Sequence, residues 1–472
     1  LDVEQKFDVA IIGSGPGGCV PAVMFAEKGL DVLMIEAGSN FSNKFVDEYS
    51  SSELNLKYRN AGLTAAIGNP IINYAEGNCV GGGSEINSGL FHEIPDQVLK
   101  KWELKNNITF NRNDLKNAYS EIKKSINVSF MPENKIPEAS LLLKNTSDKL
   151  GWECNEIPRW YKYNSDGSSK KQSMSETYIP RFIDAGGKLL TNATVDLIKK
   201  QNNRNTVNVL LEDGSQDIYT CDYLFIACGS IHSPFLLLKS GIKKNIGKGL
   251  KMHPSFKFTA IFDKAVNKDD MGVPVHQVKE FSPEISIGCS ISNKPFLGIS
   301  LNETNNLELI ENWKNMATYY SMICPKGQGK VTKLPFFKSP FVTFNLSKED
   351  KDNLRKSILL LGNLLFEAGA IKLFPSSNSR EISSIDELKT FEEMPISKLN
   401  LMTIHLFSSI QMGGNKNLHP VTSEGCLRED DSIYISDGSI LCDSPSVNPQ
   451  GTIMALTHLN ALNFIERIKN EI

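Results

Sequence analysis

Gly13, Gly15 and Gly18 stand at G-x-G-x-x-G spacing directly after the apolar run Phe7 to Ile12. The first glycine permits a tight turn, and the second lets backbone approach a pyrophosphate. The third lets the next helix pack closely on the strand with its N-terminus toward the phosphates. Glu36 follows Gly18 by 18 residues, where a carboxylate accepts from ribose hydroxyls and would repel a 2′-phosphate. Near the far end stand His405 and the pair Asn448-Pro449. An imidazole titrates close to neutrality, and a carboxamide both donates and accepts. A dinucleotide grip at one end and proton-handling groups at the other predict one site closed by the whole chain. Each group has a plainer reading too. A lone histidine in an apolar stretch is more often a satisfied core residue, and Asn-Pro is often a turn or the cap of a helix.

The elements that must position these groups are legible. A strand Phe7 to Ile12, a helix Gly17 to Lys28 stopped by Gly29, and a strand Asp31 to Ile35 make a β-α-β unit. Asn73 to Asn87 reads as a glycine-dense loop. Asp114 to Ile126 and Glu138 to Leu150 read as amphipathic helices. Lys188 to Leu210 reads as strands with turns at Asn202-Asn203 and Asp213-Gly214. Asp222 to Ala227 is a buried strand, followed by Gly229 and a helix Ser233 to Leu238. From Phe256 to Asn345 apolar and polar residues alternate, as in half-buried antiparallel strands. Ser347 caps a helix with Asp350 three residues on. Leu354, Ile358, Leu361 and Leu365 follow on one helical face, a core stripe, and a last helix runs from Thr452 to Lys469.

The 472 residues are 40% hydrophobic and 22% charged, with a net charge of −3. That balance gives no electrostatic reason to expect nucleic acid or an acidic membrane as partner. No apolar run reaches the ~18 residues needed to span a bilayer. Nine scattered cysteines without a C-x-x-C pair fit free thiols in a reducing compartment, so the expected location is the cytoplasm. Leu1 rather than Met stands first, which leaves a removed leader open. His232, His276, His419 and His458 have no metal or triad spacing, and no G-x-S-x-G elbow makes Ser84, Ser408 or Ser409 a nucleophile.

Four separated segments together resemble one family. Gly77-Asn78-Cys79-Val80-Gly81-Gly82-Gly83-Ser84-Glu85-Ile86-Asn87-Ser88-Gly89 resembles the flavin-covering loop of the glucose-methanol-choline (GMC) oxidoreductases. Gly229 to Ile242 is similar to the family's second signature, departing at Lys243 where glycine is usual. His405 to Gly413 resembles its catalytic-histidine segment, and Asp437-Gly438 with Asn448-Pro449-Gln450-Gly451-Thr452 its closing motif. The likeness covers nearly the whole chain in the right order. The glycine loop and the Ser-Val-Asn-Pro ending look nearest to the branch with cholesterol oxidases and long-chain alcohol oxidases.

The resemblance implies an α/β protein in which a discontinuous Rossmann-like FAD-binding domain meets a substrate domain on a helix-backed antiparallel sheet. The FAD domain would comprise 1–110, 183–250 and 400–472, the substrate domain 255–399, and a helical covering segment 111–182. FAD would contact Gly13, Gly15, Gly18 and Glu36, the loop residues Gly82, Gly83, Ser84, Asn87 and Gly89, then Val195 and Gly229, and finally Asp437, Gly438, Pro449 and Thr452. Covalent members attach flavin through a histidine on the glycine loop. Glu85-Ile86-Asn87 offers none, so FAD is expected to be non-covalent, with His92 and His253 structural. His405 would take the hydroxyl proton of an alcohol and Asn448 would hold its oxygen while hydride leaves for flavin N5. The terminal helix would point its positive end at the flavin's N1/C2=O edge. The acceptor that reoxidises the flavin, oxygen, a quinone or a redox protein, is left open, as is the alcohol. Non-redox lyase chemistry and light-driven decarboxylation on the same FAD scaffold are the alternatives, beside an FAD-binding protein without catalysis.

Overall fold

The computed structural model describes residues 5–41, 50–166, 168–268, 274–377 and 379–471. Its first sheet has seven strands. Gln5–Ile12 lies between Val32–Ile35 and Gln216–Ile226, parallel to both. Lys188–Leu190 extends the parallel set on one side, and Ile433–Ile435, from near the chain's end, joins it beside Gln216–Ile226. Ala193–Gln201, Arg204–Leu211 and Gln216–Ile226 form an antiparallel meander. It turns at Asn202 and Asn203, both left-handed at φ 51° and 62°, which asparagine tolerates. Val9 to Ile12 are all buried, and helices Pro16–Ala26 and Gln450–Glu471 pack together against one face of the sheet. Phe25, Phe225, Tyr434 and Phe464 stack in that seam. Strands covered on both faces read as continuous apolar runs.

Two helices contain a proline past the first turn, Pro21 in Pro16–Ala26 and Pro234 in Gly229–Lys239. Each removes the N–H that would bond the carbonyl four residues back. Those carbonyls are Gly17 and Ser230. The Ser436 hydroxyl donates to the first at 2.7 Å, and the Ser409 hydroxyl to the second at 2.6 Å. The sequence places the second helix at Ser233 to Leu238; these bonds let it begin at Gly229, before the proline.

A nine-stranded sheet forms the other half. Ser255–Phe262, Met316–Ile323, Ile285–Cys289 and His276–Val278 are consecutive antiparallel neighbours, continued by Cys154–Glu156. On the opposite edge stand Leu401–Thr403, Ile72–Tyr74 and Thr64–Ala66. Strands from outside 255–399 therefore complete this sheet. They are too short, at three residues each, to carry a periodic signal. Helix Lys348–Glu367 covers one face with Leu354, Ile358, Leu361 and Leu365 fully buried. Its capping box is present: Asp350 N–H donates to Ser347 Oγ, and Ser347 N–H to Asp350 Oδ2. The last helix starts at Gln450, two residues before the expected point. All nine cysteines are free thiols. Among the described residues no helix is long and apolar enough to cross a membrane.

Candidate active site

A cleft of about 870 Å³ is lined by the first sheet, the glycine loops and the segments around His405 and Asn448. Gly13 and Gly15 line its start. Gly13 turns the chain at φ 104°, and any side chain there would strike the Ala227 carbonyl. Gly82 approaches so closely that its Cβ would lie 2.9 Å from Gly15 Cα, so the two glycine loops meet backbone to backbone. Glu36 is buried at the cleft wall. Its Oε2 accepts from Ser14 N–H at 3.0 Å and Ser14 Oγ at 2.7 Å, and its Oε1 accepts from Gly38 N–H at 2.8 Å. A carboxylate has about four acceptor sites, so capacity remains for a ribose hydroxyl.

Gly83, Asn87, Gly89, Val195, Gly229, Asp437, Gly438 and Pro449 also border the cleft. Asn87 Nδ2 donates to Gln450 Oε1 at 2.7 Å while its Oδ1 accepts from Gly89 N–H, tying the glycine loop to the start of the last helix. Asp437 accepts from the Gly229 and Ser439 amides and the Ser233 hydroxyl; burial still leaves its pKa above the ordinary value.

Three expected cofactor residues do not line the cleft. Gly18 packs on Gly13, whose carbonyl would be 2.2 Å from an added Cβ. Ser84 is fully buried, with Oγ donating to the Gly81 carbonyl and accepting from Met174 N–H, so it pins the loop's own turn. Thr452 is buried in the first turn of the last helix. Its neighbours Pro449, Gln450 and Ile453 face the cleft instead, since successive helical residues point about 100° apart.

His405 and Asn448 meet at the far end of the cleft, His405 Nε2 lying 3.3 Å from Asn448 Nδ2. The short strand Leu406–Phe407 pairs with Lys248–Met252, Leu406 opposite Met252. That pairing sets His253, one residue on, beside His405. The Nδ1 atoms of the two rings are 3.2 Å apart, and His253 Nε2 is 2.6 Å from Ser444 Oγ. One assignment satisfies every pair. Asn448 donates to His405 Nε2, His405 Nδ1–H donates to His253 Nδ1, and His253 Nε2–H donates to Ser444. Burial lowers the His405 pKa to about 4 and pushes His253 well below its usual range, so both rings are neutral near pH 7. The arrangement leaves Nε2 of His405 as a proton acceptor on the cleft side.

Neither His253 nor His232 is marked as functional by its sequence neighbours. The Met252-His253-Pro254 segment gives no periodic hint of a histidine pair. His232 sits 3.6 Å from Glu76, both on the cleft wall. Burial opposes ionisation of Glu76, but His232 and Arg59 outweigh it and lower the pKa.

Comparison with known families decides the lineage. GMC oxidoreductase profiles match residues 55–255 for the N-terminal part and 327–457 for the C-terminal part. The chain belongs to the GMC oxidoreductases. A GMC-type oxidoreductase of Sinorhizobium fredii is 36% identical over 96% of this chain and 94% of its own. A long-chain-alcohol oxidase of Arabidopsis thaliana is 24% identical over 99% of this chain and 70% of its own. Pyridoxine 4-oxidase of Mesorbium loti has the same fold, with a TM-score of 0.75 at 15% identity over 98% of this chain and 99% of its own. As a GMC protein the chain is an oxidoreductase of the class acting on CH–OH groups, in a family that binds FAD. The glycine cradle and the spare acceptor capacity of Glu36 fit that cofactor.

Proposed function

We propose that this GMC oxidoreductase converts an alcohol to an aldehyde or ketone at His405 and Asn448, with FAD held non-covalently. The observation that carries the reading is the 3.3 Å approach of His405 Nε2 and Asn448 Nδ2 on the cleft that also holds Gly13, Gly82 and Glu36. FAD, when bound, supplies the hydride acceptor. The substrate hydroxyl would replace Asn448 as the partner of His405 Nε2 and pass its proton there. Asn448 would then donate to the substrate oxygen and fix the orientation of the carbon. The relay to His253 and Ser444 keeps the Nε2 lone pair toward the substrate and stabilises the imidazolium through Nδ1–H. A positioned base of this kind contributes roughly 10²–10⁴-fold.

The sheet of residues 5–12 and its neighbours would carry FAD, as the division into 1–110, 183–250 and 400–472 implies, and the nine-stranded sheet would face the substrate. Non-covalent binding is supported by the loop itself, because Gly82, Gly83 and Ile86 to Leu90 line the cleft without a histidine. His92 is turned to Gln277 Oε1 at 3.0 Å. The test is anaerobic stopped-flow reduction with a panel of alcohols. Bleaching in the dark by an alcohol, lost in His405→Ala while the yellow spectrum stays, supports alcohol oxidation. A flavin that bleaches with no alcohol, or that needs light to turn over, overturns it.

A further inference from the structure

One face of the nine-stranded sheet carries a polar network centred on Gln277 and Tyr320, behind the residues that line the cleft. In the ladder Gln277 stands opposite Gly288 and Gly288 opposite Tyr320. Same-face residues two positions along are Lys279, Ser286 and Met322. The intervening residues Val278, Ile287 and Ser321 turn to the other side, where Ser357 of the covering helix bonds Ser321. Gly288 leaves the space that Tyr320 uses, since its hydroxyl lies 2.7 Å from where a Cβ would be. Gln277 Nε2 donates to that hydroxyl at 2.8 Å, and Gln277 Oε1 accepts from His92 Nε2 at 3.0 Å and from Lys279 Nζ at 2.8 Å.

This network adjoins the His405 pair. The His92 carbonyl abuts Gly451, three residues past Asn448. The charge of Lys279 adds to burial in holding His253 and His92 below their usual pKa values, and burial lowers Lys279 itself to about 8. Cys324 links the two groups, with Sγ 3.6 Å from His253 Nε2.

Two groups here are left over. An ammonium donates three hydrogen bonds, and Gln277 takes one from Lys279. Among the described residues no carboxylate forms an ion pair with Lys279. Ser286, which continuing the ladder register past Val278 and Ile287 would bring opposite Lys279, is 6% exposed and its Oγ has no partner. A half-buried ammonium with donors to spare beside a buried hydroxyl without a partner is a pair of groups that a ligand can complete.

We propose that the alcohol oxidised at His405 carries an anionic group, a carboxylate or a phosphate, seated between Lys279 and Ser286. The proposal rests on the alcohol-oxidising reading of His405 for its chemistry, and on this polar face for its specificity. A compact hydroxy acid or phosphorylated alcohol would place its charge at the lysine and its hydroxyl at the histidine.

Two arms test it on the FAD-loaded protein. The binding arm titrates acetate and inorganic phosphate against the flavin spectrum and thermal midpoint of wild type, Lys279→Gln, Lys279→Arg and Ser286→Ala. A saturable wild-type response weakened about 10- to 100-fold in Lys279→Gln, yet largely kept in Lys279→Arg, supports the site. Preference for acetate or for phosphate names the anion. The turnover arm compares anaerobic flavin reduction by glycerate and glycerol 3-phosphate with that by glycerol. A charged substrate favoured at least about tenfold in kcat/KM, the advantage vanishing in Lys279→Gln through KM, is the expected result. Faster reduction by glycerol, or anion binding indifferent to Lys279, overturns the proposal. If Lys279-dependent binding holds while no alcohol reduces the flavin, the anion site survives and the alcohol reading of His405 falls.

Discussion

His253 presents its Nδ1 to Nδ1 of His405 at 3.2 Å and turns its other nitrogen to Ser444 at 2.6 Å. Its ring also stands edge-on to Phe407, at 4.8 Å between centroids and 66° between planes. A fully buried imidazole with both nitrogens bonded acts on the reaction through its neighbour. We expect His253→Asn to lower kcat/KM by about 10- to 100-fold, since a small misplacement of a reacting group costs that much. The loss should be smaller than in His405→Ala and should fall on kcat rather than KM. Single-turnover flavin reduction across a pH series checks this. A merely structural role would lower the thermal midpoint and leave the pH profile in place.

The low pKa of His405 sets a pH window. Its value falls from 6.5 to about 4 through burial, so the unfolded chain binds more protons than the folded one between those limits. Stability is therefore fully present above about pH 6.5 and is lost as pH falls through that range. Burial shifts His253 and His92 in the same direction. The thermal midpoint should drop from about pH 7 to pH 5, while kcat/KM, which needs neutral His405, stays level until the pH nears 4. Differential scanning fluorimetry and pre-steady-state kinetics on one buffer series separate the two.

The bond from Ser436 Oγ to the Gly17 carbonyl can be tested against its cause. Ser436→Ala leaves a buried carbonyl without a donor and should cost about 1–3 kcal/mol. Pro21→Ala returns the helix's own N–H. The Ser436→Ala penalty should shrink in the Pro21→Ala background, giving a non-zero coupling in a double-mutant cycle by urea denaturation. Equal penalties in both backgrounds would refute the compensation.

Glu36 and the absence of a histidine on the cleft-facing loop make two statements about the cofactor. Acid precipitation should release all yellow colour into the supernatant. Glu36→Ala should weaken FAD binding by about 10- to 100-fold, because charge-assisted bonds to ribose and to Ser14 are lost together. Fluorescence titration of the stripped protein with FAD measures it.

Much of this was legible because local rules and final packing agree. The strand-turn-helix around Gly13 to Ala26, the stop at Gly29 and the cap at Ser347 follow from residue type alone. The meeting of His405 with Asn448 came from family likeness, since 43 residues separate them and neither has a periodic neighbour. What stayed hidden depends on distant pairing. The edge strands Thr64–Ala66 and Cys154–Glu156 exist because longer strands offer them partners. Likewise Ser84 and Thr452 face inward for reasons of helical and turn geometry that a motif does not record. Lys279 gave no signal at all, because its meaning arises only when Ser286 lies across from it without a partner.

The proline-bearing helices that frame the cleft borrow donors from Ser409 and Ser436, far along the chain. Each helix therefore closes its hydrogen-bond ladder only when a segment 179 or 419 residues further along the chain has docked against it. The nucleotide grip and the His405 region are thus joined by bonds that neither makes alone.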